Sequence, residues 1–271
     1  MALPVPSLSP ASAIEVPPSV AGPHRVPADR YALPPDYVAR SSALGLDEHL
    51  PVGTAGYWTP ERLANTARYQ AHVYAWADRI ARRHRATRIL DAGCGVGTKL
   101  VTRLAGPGRE LWGVDQPAAI ALARELSPGA SYWSADLESN ASAEGGPVGT
   151  FDMIICSDVL EHLADPDALM SVVRSRMAAG SIAILSTPDR DRLRGRGCRS
   201  SPKPDHVREW SRDEFIRYAR SRGFEVLKSR LMPQDDAPIA PLIWEDAMFR
   251  AEVRPRSPLA CHAVLCRRSG D

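Results

Sequence analysis

Between Arg88 and Leu100 the chain reads RILDAGCGVGTKL, an apolar run that ends in an acid and then alternates three glycines with single residues. This pattern suits a buried strand delivering Asp91, a turn through Gly93, Gly95 and Gly97, and a helix opening near Thr98. Glycine lets the backbone turn sharply and lets a ligand approach it closely. The following sequence repeats the arrangement: TRILDA, ELWGVD, ASYWSAD, FDMIICSD and GSIAILSTP read as buried parallel strands, with helical stretches near 98–105, 117–126 and 166–178 between them. Such alternation predicts a doubly wound α/β sheet. FEVLKSRLM and LACHAVLCR, connected through the short helical stretch PLIWEDAMFR, predict an antiparallel edge.

Upstream, residues 1–35 hold nine of the 24 prolines and little periodicity, which predicts a flexible Pro-rich arm. Residues 36–85 are expected to form a helical cap. In it, PERLANTARYQAHVYAWADRIARRH carries apolar residues at helical spacing behind the N-cap candidate Thr59, predicting one long amphipathic helix. The catalytic domain is then expected over 86–271, with an Arg-rich active-site loop at 187–210.

Composition narrows the function classes. A net charge of +2 from 34 basic and 32 acidic residues argues against a nucleic-acid partner. No apolar run reaches the roughly 18 residues of a membrane span. Five scattered cysteines without a C-x-x-C pair, and a start without a signal-peptide pattern, point to a cytoplasmic protein. A monomer or homodimer is expected.

The glycine spacing G-x-G-x-G differs from the G-x-G-x-x-G that seats a dinucleotide pyrophosphate, and Asp91 favours a cationic ligand group. Two more acids end the following strands. Asp115 in GVDQ is placed to accept from a ribose diol, and Asp136 in SADL from an exocyclic adenine amine. Each alone could be a helix cap or a solvated loop acid.

With LDAGCGVG, GVDQ, SADL and FDMIICSDVLEHLADP in this order, the sequence resembles the class I S-adenosylmethionine-dependent methyltransferases over about residues 60–267. The resemblance implies a Rossmann-like seven-stranded sheet of order 3-2-1-4-5-7-6 with strand 7 antiparallel, and S-adenosylmethionine as cofactor. It places Asp91, Gly93, Cys94, Gly95, Asp115, Gln116, Ala135, Asp136, Leu137, Ser157 and Leu160 at the cofactor. A sulfonium donor needs alignment and water exclusion rather than a protein nucleophile.

On the acceptor side, His162 follows strand 4 and His206 lies in TPDRDRLRGRGCRSSPKPDHVREW after strand 5; His206 is preferred over His162 as base or orienter. Arg190, Arg194, Arg208, Trp210 and Tyr57 are expected to contact an acceptor, an anionic or sugar-bearing small molecule. The TPDRDRLRG and HVREW segments, the YQAHVYAWA helix and Lys99 resemble methyltransferases of glycans and glycosylated natural products. No metal site is expected, since ligands at recognisable spacing are missing. Transfer to oxygen is the leading reading, with nitrogen or carbon methylation, a nicotinamide oxidoreductase and a non-catalytic cofactor-binding protein as alternatives.

Overall fold

The computed structural model describes residues 30–43, 55–139, 146–252 and 254–270. Seven strands build one sheet: β1 (Arg88–Ala92), β2 (Glu110–Asp115), β3 (Ser131–Ser134), β4 (Phe151–Ser157), β5 (Met177–Pro188), β6 (Phe224–Met232) and β7 (Cys261–Arg268). Their order is β3-β2-β1-β4-β5-β7-β6. The first five run parallel, and β7 runs antiparallel to both β5 and β6, as expected.

Alternate strand residues supply opposite faces of the sheet. Leu90, Ile154 and Ala183 join one buried cluster, which also holds Trp210, Phe215 and Tyr218; Ile89, Met153 and Ile182 join another with Val73, Tyr74 and Trp76. The helices around the sheet are α1 (Pro60–Asn65), α2 (Ala71–His84), α3 (Thr98–Leu104), α4 (Pro117–Leu126), α5 (Pro166–Ser175), α6 (Arg190–Arg194), α7 (Arg212–Ser221) and α8 (Ile239–Arg250). Among the described residues no helix is long and apolar enough to cross a membrane.

Two expectations change. The single long helix over 60–84 is α1 and α2, broken at Gln70, whose φ of 54° is left-handed. For a side-chain-bearing residue that conformation costs about 1–2 kcal/mol. It is offset by two hydrogen bonds, from the Gln70 amide to the Gln234 carbonyl at 2.7 Å and from its side chain to Asp158 at 3.0 Å. Periodicity does not reveal this break because the apolar spacing runs through it.

The second change concerns the N-terminal boundary. Residues 1–29 of the expected arm lie outside the described residues, but 30–35 pack on the domain. Tyr31 is buried, and its carbonyl accepts the Trp210 indole N–H at 2.8 Å; nearby, the Tyr37 hydroxyl accepts the Glu209 amide at 2.8 Å. The tyrosines make this strap part of the core despite its prolines.

Candidate active site

At the carboxyl ends of β1, β2 and β4 the sheet opens into a cavity of about 860 Å³. Pockets for ligands of drug size span about 300–1,000 Å³, so it has room for a nucleoside cofactor beside a small acceptor. Gly93, Cys94, Gly95, Asp115, Gln116, Leu137 and Ser157, read from the sequence as cofactor contacts, line it.

The loop between β1 and α3 is held by its neighbours. Asp115, at the end of β2, accepts the Gly95 amide at 2.7 Å through one carboxylate oxygen and the Gln116 amide at 2.7 Å through the other. Gly95 has φ +56°, and a Cβ there would stand 2.9 Å from the Trp58 ring, so a side chain is excluded twice. Asp91 lies beneath the loop, fully buried, with Tyr74 donating its hydroxyl to Oδ2 at 2.7 Å and Oδ1 left without a partner. Burial pushes its carboxyl up to about 7. The site thus holds a buried acid with an unmatched oxygen below a bare backbone and a second acid beside it. That combination fits a nucleoside carrying a positive charge.

Four expected cofactor positions lie outside the cavity lining: Asp91, Ala135, Asp136 and Leu160. Asp136 is exposed, and its carboxylate caps the Glu138 amide at 3.0 Å. Leu160 is fully buried in the core, while Val159 and Leu163 beside it line the cavity.

The acceptor side is assembled from two distant segments. The 3-10 turn Leu160–His162 follows β4, and the chain after α6 returns to it. The Val207 amide donates to the Glu161 carbonyl at 2.8 Å, and His162 Nδ1 pairs with the Asp205 carbonyl. These bonds bring His162 and His206 together, and both line the cavity.

His206 Nδ1 pairs with a carboxylate oxygen of Glu209 at 2.7 Å, and its Nε2 faces the Lys203 ammonium at 3.2 Å. Nδ1 therefore carries the proton and donates it to Glu209, while Nε2 accepts from Lys203. Burial opposes ionisation of Glu209, but its bonds from His206 and Arg194 outweigh burial and hold the carboxyl down to about 2. Burial above all pushes the His162 imidazole down to about 3. Glu161 is pushed well above the carboxylate range by burial and by Asp158.

Of the expected acceptor contacts, Tyr57 and Arg194 line the cavity, whereas Arg190, Arg208 and Trp210 do not. Arg190 is 2% exposed and makes a bidentate pair with Glu214 at 2.8 and 2.9 Å. Arg208 is buried and donates to the carbonyls of Leu163 and Ala164. Trp210 is buried and stacks on Tyr218 with ring centres 5.2 Å apart. The β5–α7 segment is thus tied into the core at both ends, and these side chains are structural rather than exposed on a charged lid.

Sequence reasoning missed Arg62 and Gln70, and it left Lys203, Asp205 and Glu209 as undistinguished charges of the loop after strand 5. Their types are common in loops and caps, and only the return of the chain to the 3-10 turn gives them a site. It left Glu161 between a place at the ligand edge of strand 4 and packing on the next helix. In the structure Glu161 lines the cavity, and its Oε1 is buried without a partner.

The comparisons with known proteins agree with this geometry. A family described as a methyltransferase domain matches residues 66–229, more than half of the 271. The chain belongs to that family. Its domain is of the class I, S-adenosylmethionine-dependent methyltransferase type. A ubiquinone biosynthesis O-methyltransferase of Pseudomonas aeruginosa is 31% identical over 107 residues, 38% of this chain. The match spans 45% of that relative, less than half its length.

Among solved structures, an O-methyltransferase family protein from Burkholderia thailandensis has a TM-score of 0.52 at 15% identity, covering 78% of this chain and 57% of that one. The cyclase SpnF has a TM-score of 0.52 at 17% identity, covering 74% and 83%. At such identities these structures support the methyltransferase's fold alone.

Proposed function

We propose that the enzyme methylates an oxygen of a hydroxyl-bearing small molecule, with the acceptor held at the His162–His206 end of the cavity. Bound S-adenosylmethionine would supply a methyl group on a sulfonium, the acceptor oxygen bonding the methyl carbon as the carbon–sulfur bond breaks in line, and a histidine Nε2 would take the hydroxyl proton. The cofactor's positively charged end is assigned to the side of Asp91 and its ribose to Asp115. The protein aligns the partners and keeps water out.

The observation that carries this reading is the histidine pair. Each ring has Nδ1 paired with an oxygen, of Asp205 or of Glu209, which leaves Nε2 for chemistry at the acceptor. Lys203 stands on the His206 nitrogen, in a position an acceptor hydroxyl can take by displacing the ammonium. The similarity to a ubiquinone biosynthesis O-methyltransferase points to the same atom type.

The cations on this side are already matched, which weighs against an anionic acceptor. Arg62 pairs with Asp205 at 3.5 Å and lies 3.7 Å over the Tyr57 ring, Arg194 pairs with Glu209 at 2.9 Å, and Lys203 pairs with Asp205 at 3.5 Å. Glu61, Asn65, Gln70 and Gln234 also line the cavity and suit an acceptor with several hydroxyls, including a sugar-bearing one.

An acceptor screen with S-adenosylmethionine, read by mass spectrometry, tests this reading. Polyhydroxylated phenols and glycosides should gain one methylene and yield S-adenosylhomocysteine. Methylation confined to amines or carbon acids would overturn it.

A further inference from the structure

Glu161, His162 and His206 each bring one candidate ligand atom to within 4.8 Å of the others at the cavity wall. We propose that these three residues bind a divalent transition-metal cation, with Asp205 beside them as a second carboxylate and Lys203 as a built-in competitor for the site. The proposal goes beyond the methyl-transfer reading and does not depend on the acceptor's identity.

Two buried carboxyl oxygens at this wall have no hydrogen-bond partner. Glu161 is fully buried with Oε1 unpaired, while Oε2 has only the Thr187 hydroxyl at 3.4 Å. Asp205 is 1% exposed, and its Oδ1 has no hydrogen bond; it lies 3.9 Å from His206 Nε2. Leaving such atoms unsatisfied is unfavourable, and a cation bound to them removes that cost.

The imidazoles are already oriented as ligands. A metal-bound histidine characteristically gives its second ring N–H to a carbonyl or carboxylate, which fixes the tautomer and aims the other nitrogen. His162 does this with the Asp205 carbonyl and His206 with Glu209, leaving Nε2 on both.

A cation already stands on part of this set. The Lys203 ammonium is 3.2 Å from His206 Nε2 and 3.5 Å from Asp205 Oδ2, but it leaves Glu161 Oε1 unpaired. Its side chain is 43% exposed on a flexible stem, so it can leave toward solvent. Ammonium and metal are therefore alternatives at His206. Two imidazoles and a carboxylate favour zinc, cobalt, nickel or iron over magnesium, which prefers oxygen ligands, and leave coordination positions open to an oxygen of the acceptor.

The test uses the tag-free full chain, stripped with a chelator and titrated with Co²⁺ by visible absorption and with Zn²⁺ and Mg²⁺ by calorimetry. S-Adenosylmethionine binding is measured on the same samples to report an intact fold. One equivalent of Co²⁺ or Zn²⁺ should bind more tightly than Mg²⁺. Glu161→Gln and His206→Ala should each weaken binding at least tenfold, and Lys203→Met should strengthen it. The proposal is overturned if wild type and Lys203→Met bind no metal saturably, or if Lys203→Met does not bind more tightly than wild type. It is also overturned if Glu161→Gln or His206→Ala keeps both cofactor binding and full metal affinity. Should those two variants lose the fold, the comparison of Lys203→Met with wild type decides alone.

Discussion

The rings of His162 and His206 meet edge to face with their centres 4.8 Å apart. One comes from the turn after β4 and the other from the segment after β5, and the Val207 amide on the Glu161 carbonyl closes the gap between them. Their pairing sets two imidazoles side by side at the wall of the cavity.

Glu209 keeps that pair in place. It is fully buried and joins His206 to Arg194. Removing one member of a buried charged network leaves the others unpaired, at a cost of about 3–5 kcal/mol. Glu209→Ala should therefore lower the urea midpoint markedly, whereas Glu209→Gln, which retains an acceptor oxygen, should lower it less.

Arg190 offers the opposite test, because it is buried against Glu214 away from the cavity. Arg190→Met should destabilise the fold by about 3–5 kcal/mol in chemical denaturation. At temperatures where the variant is folded, calorimetry should return the wild-type affinity for S-adenosylmethionine. A selective loss of affinity would instead restore Arg190 to the binding site.

Cofactor affinity should follow the ionisation of Asp91. Its folded pKa of about 7 is raised by burial, so the free chain favours the neutral carboxyl and loses stability as pH rises through 7. A cationic ligand favours the ionised form. Affinity should therefore rise about fivefold between pH 6 and pH 7, and Asp91→Asn should flatten the dependence. A wild-type affinity that does not change over this range would remove Asp91 from the account.

Gly95→Ala should act on the loop without touching charge. Its left-handed φ costs a non-glycine residue about 1–2 kcal/mol, and the new methyl meets Trp58. Cofactor affinity should fall by about tenfold or more, equivalent to about 1.4 kcal/mol. Unchanged affinity would show that the loop can relax.

Much of this arrangement was legible in the sequence because strands and glycine turns are local signals. β1 through β5 follow apolar runs, and Asp115 stands at the end of its strand as read. The break at Gln70 was not legible, since its stabilising partners Gln234 and Asp158 are far away in the chain. Nor did the arginine-rich segment reveal its own fate. Arg190 and Arg194 look alike in RDRLR, and only the positions of Glu214 and the cavity separate a buried structural ion pair from a wall residue. The Glu161, His162 and His206 cluster escaped for the same reason: its ligands come from two segments whose separation has no recognisable metal spacing.

The most direct test of the account is a calorimetric titration of the chain with S-adenosylmethionine, repeated with Asp115→Ala. Asp115 joins the end of β2 to the glycine loop through the Gly95 amide, and it borders the cavity. The account predicts saturable binding at one cofactor per chain, weakened by about tenfold or more in Asp115→Ala, a loss of about 1.4 kcal/mol. Failure of the wild-type chain to bind, or an unchanged affinity in folded Asp115→Ala, would contradict it.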